Sequence, residues 1–154
     1  MRKPLKFPLP LPFVETLGFE LWRCDSGRAE VAVDLAGSHL NSWDVAHGGV
    51  MMTLLDVAMA HAARSVQPDL PEGGPGVATV EMKTSFMRPA EGRLVAQATL
   101  LHRTRTLAFC EGSIQDASGA LCAHATATFK FVRRLAGRDP PPAEPGDPAP
   151  KASP

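Results

Sequence analysis

Three features of this 154-residue chain are of a kind that could do chemistry. The first is Asp56, set between Leu55 and Val57 in the apolar run VMMTLLDVAMAHAARS. A carboxylate withdrawn from water is costly unless paired. Desolvation raises its pKa, which brings it closer to the range where a base or nucleophile is useful. The same position also suits a structural acid paired with an arginine or capping a backbone group. The second feature is His47-Gly48-Gly49, immediately before that run. In the first turn of a helix, free N–H groups coincide with the positive end of the dipole. Glycine there lets a ligand approach closely, and a free N–H can hold a developing oxyanion. An ordinary loop needing two glycines for its turn would read the same. The third is Asn41, six residues before His47, which alone reads as a turn or capping residue.

Spacing links these groups. Gly48 and Asp56 are eight residues apart, about 12 Å along a helix. One reacting carbonyl cannot touch both within a single chain. Two such helices running antiparallel across a two-fold axis would bring the Gly48 end of one near Asp56 of the other. A composite site at a dimer interface then explains both the separation and an apolar strip left on the helix.

The elements that must position these residues are legible. Gly18 to Arg23 and Arg28 to Leu35 look like strands; in the second, Ala29, Val31, Val33 and Leu35 alternate with Glu30, Ala32 and Asp34. A loop from Gly37 to about His47 precedes the Ala-, Leu- and Met-rich run, which has no Gly or Pro and predicts a buried helix of about four turns. QPDLPEGGPG ends it. Val77–Met87, Leu94–His102, Thr106–Gln115 and Ala120–Val132 then read as strands joined by short, antiparallel connections. The expected fold is α+β: an antiparallel sheet of five to six strands wrapped around one long central helix. Residues 1–13 form a Pro-rich arm, 14–134 the folded domain, and 135–154 a Pro-rich tail expected to be disordered. Lys+Arg and Asp+Glu are equal at 16 each, so no global field favours nucleic acid or an anionic membrane. Prolines 4, 8, 10 and 12 break what would otherwise suggest a signal peptide, and no apolar run suits a membrane span. Cys24, Cys110 and Cys122 match neither a disulfide framework nor a metal cluster, so no metal site and a cytoplasmic location are expected.

The segment NSWDVAHGGVMMTLLD resembles the signature of hotdog-fold acyl-CoA thioesterases of the PaaI, phenylacetate-pathway type: Asn41, then His47-Gly48-Gly49, then Asp56 nine residues after the histidine. GVATVEMKTSFMRPA, Gly76 to Ala90, looks like that family's next strand and Arg-Pro turn. The resemblance runs from about Val14 to Val132. It implies that the Gly48 N–H polarises a thioester carbonyl and that Asp56 of the opposing subunit is nucleophile or general base. It further implies that Asn41 orients water or thioester, that His47 supports the loop, and that Thr79 stands near the catalytic acid. By strand alternation Thr79 shares a face with Glu81 and Lys83, opposite Val80, Met82 and Phe86. Arg88 and Pro89 of the Arg-Pro turn, with Arg103 and Arg105 of HRTRT, are candidates to meet the CoA phosphates. HRTRT lacks the glycine many relatives carry there. CoA thioester is substrate, and no resident cofactor is implied. A homodimer at minimum, and by resemblance a homotetramer, is expected. Met51, Met52, Leu55, Met59 and Trp43 are available to line a pocket for an aryl or short- to medium-chain acyl group, and the resemblance puts arylacetyl or similar aromatic thioesters first. His61, His102 and His124 read as structural or exposed. An acyl-CoA-binding sensor and an enoyl-CoA hydratase are the alternatives; a hydratase usually shows Asp and His about five residues apart, which this segment does not.

Overall fold

The computed structural model of the protein describes residues 2–66 and 76–132. The expected tail, 135–154, and most of the turn after the long helix lie outside these residues. Six strands form a single antiparallel sheet: β1 (Glu20–Asp25), β2 (Arg28–Asp34), β3 (Gly76–Phe86), β4 (Arg93–Arg103), β5 (Leu107–Gln115) and β6 (Leu121–Val132), in spatial order β1-β2-β4-β5-β6-β3. A short helix, α1 (Pro12–Thr16), precedes them, and the long helix α2 (Gly48–Arg64) lies between β2 and β3 in the chain. This is the hotdog arrangement that the resemblance implies.

Helix α2 packs across all six strands. Met51, Leu54, Leu55, Ala58, Met59, Ala62 and Ala63 are buried against Val31, Val33, Leu94, Ala96, Ile114 and Phe129 on the sheet's inner face. The small residues of β5 and β6 set how close the helix can come. A Cβ added at Gly112 would lie 3.2 Å from Met59 Cγ and 3.3 Å from Leu55 Cδ2, so glycine is what admits the helix there. The opposite side of α2 keeps a strip of incomplete burial through Gly49, Met52, Thr53, Asp56 and Ala60, which is the face left for something else to cover.

The arm is more integrated than the 13/14 boundary suggested. Leu5 bridges antiparallel to Leu21, α1 begins at Pro12, and Phe7 packs its ring edge against His61 at 5.3 Å between centroids. The apolar residues spaced between its prolines account for this: the prolines hold it extended, and Phe7 and Leu11 pack against the core.

Candidate active site

Helix α2 starts where the sequence put the HGG triplet. His47 is the N-cap, and its Nδ1 accepts a hydrogen bond from the Gly49 N–H at 2.9 Å. A Cβ on Gly49 would stand 3.1 Å from that nitrogen, so the cap needs glycine at this position. The His47 carbonyl accepts from Val50 and Met51 at 3.0 and 3.2 Å. Of the first-turn amides, that leaves the Gly48 N–H without a hydrogen-bond acceptor among the described residues. It sits beside the Phe86 ring, at the positive end of a 17-residue helix. An unpaired amide so placed can stabilise developing negative charge.

Asp56 lies two turns further along α2, in the half-buried strip. Thr79 Oγ1 donates to Asp56 Oδ1 at 2.7 Å. Burial raises the pKa of this carboxyl above its ordinary value, and the Thr79 hydrogen bond opposes that shift by favouring the anion. The result is an acid that is harder to ionise than usual yet has one oxygen fixed by a hydroxyl, leaving the other for a substrate or water.

The Thr79 contact corrects the alternation expected for β3. Thr79 stands opposite Phe129 and Glu81 opposite Thr128, with Val80 an extra residue between them. This β-bulge reverses the parity of the strand. Thr79 therefore faces inward with Met82, away from the outward Glu81, and reaches the helix. Strict period-two counting cannot see an inserted residue.

Asn41 keeps its turn role. Its Oδ1 accepts from the Trp43 and Val45 N–H groups at 2.9 and 3.4 Å, and its backbone closes the loop onto Val45. The loop is tied to the HGG end by the His47 N–H bond to His39 O at 2.8 Å, and to the Arg-Pro turn by the Ala46 N–H bond to Ala90 O at 2.9 Å. No hydrogen bond joins Asn41, His47 or Gly48 to Asp56 within the protomer. One chain brings together Asn41, His47 and Gly48 at one end of α2, and Asp56 with Thr79 further along it.

The arginines divide similarly. Arg88 follows Phe86 near the Gly48 end, where Nη1 donates to Leu121 O at 2.9 Å and Pro89 lies beside Cys122. Arg103 lies at the other end of the sheet, its guanidinium 5.6 Å from the Phe131 ring centroid, and Arg105 is exposed in the neighbouring β4–β5 turn.

Beside Asp56 opens a cavity of about 850 Å³ between α2, β3 and the N-terminal arm. Asp56 and Thr79 stand in its wall, with Met52, Val57 and Ala60 from α2 and Leu9, Leu11 and Phe13 from the arm. Met52 is thus the one expected pocket residue that lines it. Met51, Leu55 and Met59 are spent in the core, and Trp43 is 80% exposed on the Asn41 loop. The arm's share was not visible in sequence, because nothing local ties residues 9–13 to Asp56. Among the described residues no His/Cys/Asp/Glu group could hold a metal ion, and no helix is long and apolar enough to cross a membrane.

An α-helix wrapped by one antiparallel sheet is the hotdog fold. Residues 44–123 match the thioesterase superfamily, and the chain belongs to that family as a thioester hydrolase. It is 26% identical over 136 residues to the medium/long-chain acyl-CoA thioesterase YigI of Salmonella typhimurium, covering 80% of this chain and 87% of that one. A shorter stretch of 68 residues is 37% identical to a Halobacterium salinarum protein provisionally named an esterase, spanning 44% of each chain. Among solved structures, PA5202 from Pseudomonas aeruginosa superposes with a TM-score of 0.73 at 26% identity, covering 84% of this chain and all of that one. The phenylacetic acid degradation protein PaaI of Thermus thermophilus superposes with a TM-score of 0.69 at 27% identity, over 79% of this chain and 100% of its own.

Proposed function

We propose that the protein hydrolyses acyl-CoA thioesters, with a medium-length aliphatic acyl group as the preferred class. The observation that carries this reading is the adjacency of Asp56, held by Thr79, to a cavity whose wall is chiefly aliphatic. The medium/long-chain specificity in the name of the YigI relative supports the same choice over an arylacetyl group. The chain works as a homodimer at minimum, and by resemblance as a homotetramer. The Gly48 N–H of one protomer holds the thioester oxygen, while Asp56 of the other acts on the carbonyl carbon. Two observations favour that pairing: the separation of Gly48 from Asp56 along α2, and the exposed edge of β3, where Val80 is 58% exposed.

In this reaction Asp56 either attacks the carbonyl carbon, giving a mixed anhydride that water then opens, or takes a proton from the attacking water. In both routes the C–S bond breaks and CoA leaves as the thiol. Thr79 keeps the carboxylate oriented, and His47 keeps the first turn of α2 in shape. Arg88 and Pro89, beside the Gly48 end, are the nearer anchors for the nucleotide. Arg103 and Arg105 reach the same nucleotide only from another subunit. The free thiols of Cys24, Cys110 and Cys122 suit a cytoplasmic setting.

The test is thiol release from phenylacetyl-, benzoyl-, short- and medium-chain acyl-CoAs. Asp56→Ala is expected to lower kcat by about 10²–10⁴-fold while the protein stays folded. Tight acyl-CoA binding by the wild type without turnover of any thioester would instead favour a sensor.

A further inference from the structure

The cavity beside Asp56 contains a group that hydrolysis does not use. His61 is 4% exposed and forms part of the cavity wall. Its Nδ1 lies 2.7 Å from the Val57 carbonyl, which can only accept, so Nδ1 carries the ring proton. Nε2 then presents a lone pair. It is buried, and among the described residues it has no hydrogen-bond partner. Phe7 flanks the ring edge-on and offers no donor. Burial holds the imidazole's pKa below its ordinary value, so the ring stays neutral and Nε2 stays an acceptor.

A buried acceptor without a donor is costly to leave unpaired, and it is most simply explained by a partner that arrives with the ligand. Apart from Phe13, from Asp56 and Thr79 at the reacting end, and from Thr53 and Arg64, the rest of the wall is aliphatic. His61 follows Asp56 by five residues, about 7.5 Å further along α2. A chain whose carbonyl sits at Asp56 and which extends toward the C-terminal half of the helix brings its distal part to that ring. Resting on the acyl-CoA reading above, we propose that His61 determines specificity, its Nε2 accepting a hydrogen bond from a hydroxyl on the distal part of an aliphatic acyl chain. Hydroxyacyl thioesters are then the preferred substrates.

The experiment compares kcat/KM for two acyl-CoAs of equal chain length, one unsubstituted and one hydroxylated near its end, in wild type and His61→Phe. Phenylalanine keeps the ring against Phe7 and removes the acceptor. Wild type is expected to favour the hydroxylated chain by about tenfold, the worth of one well-made hydrogen bond to an otherwise unpaired group. His61→Phe is expected to abolish or reverse that preference while hydrolysing the unsubstituted chain at least as well. Equal or faster hydrolysis of the unsubstituted chain by wild type overturns the inference alone, and needs no variant to fold; a water satisfying Nε2 would give this result. A preference that survives in His61→Phe also overturns it. Hydrolysis of neither chain, nor of any other acyl-CoA, sinks the acyl-CoA reading and the inference with it.

Discussion

Asp56 carries two opposing demands. Burial makes its anion expensive, and the Thr79 hydroxyl returns part of that cost. The acid limb of kcat/KM against pH should therefore lie above the ordinary aspartate value of about 3.9. Thr79→Val removes the bond that favours the anion, so that limb should move to higher pH. A limb unmoved in a folded Thr79→Val would exclude Thr79 as the residue that tunes Asp56. The same shift makes Asp56 a stability liability. A carboxyl whose folded pKa exceeds its unfolded one contributes stability below the unfolded value and loses it as pH rises through the folded value. At neutral pH Asp56→Asn should thus raise Tm by roughly 1–3 °C, and the gain should fade as pH is lowered toward about 4, as followed by calorimetry at several pH values.

At the scale of elements, the first turn of α2 offers a clean probe of the oxyanion role. Gly48 is the first helical residue, and the N-cap His47 has φ −64° and ψ 134°, a conformation that tolerates a following proline. Gly48→Pro should remove the free N–H and leave the helix in place. A drop of about 10²–10³-fold in kcat with an unchanged circular dichroism spectrum is expected. Where α2 crosses β5, Gly112→Ala should destabilise by about 1–3 kcal/mol in urea titration, because Met59 and Leu55 must give way. Much of this level could be read from the sequence. The apolar run without Gly or Pro marked α2, and punctuation by Gly, Asp and Ser marked the strands within a residue or two. What escaped had no local signal. The Val80 bulge is a matter of pairing with β6, and the arm's place in the cavity wall is set by contacts between segments distant in sequence. Asn41 takes the turn role that its type alone suggests, its oxygen holding its own loop. His61, read as a structural histidine, differs only in what its second nitrogen lacks, which no spacing reveals.

At the scale of the whole molecule, a site divided between protomers makes a prediction that a self-contained site does not. Asp56→Asn and Gly48→Pro proteins, each inactive alone, should regain activity when subunits are mixed and exchanged. Half of the dimers then pair the two variants, and each of those rebuilds one intact site from the good Gly48 of one chain and the good Asp56 of the other. Recovery of roughly a quarter of wild-type activity is expected for two-fold pairing. No recovery after demonstrated subunit exchange would mean that each chain completes its own site. A charge on the open edge of the sheet should act in the same direction: Val80→Lys is expected to shift the protein toward monomer in size-exclusion with light scattering and to lose activity in proportion.

The N-terminal arm has one further consequence. In the function proposed above, the residues that handle the carbonyl lie on α2 and β3, whereas Leu9, Leu11 and Phe13, which add to the cavity wall beside Asp56, come from a stretch upstream of them all. Part of the fit is thus inherited apart from the reactivity, on a segment of its own. A lineage could retune which thioesters it clears by a few changes near one terminus, and keep its hydrolytic machinery untouched.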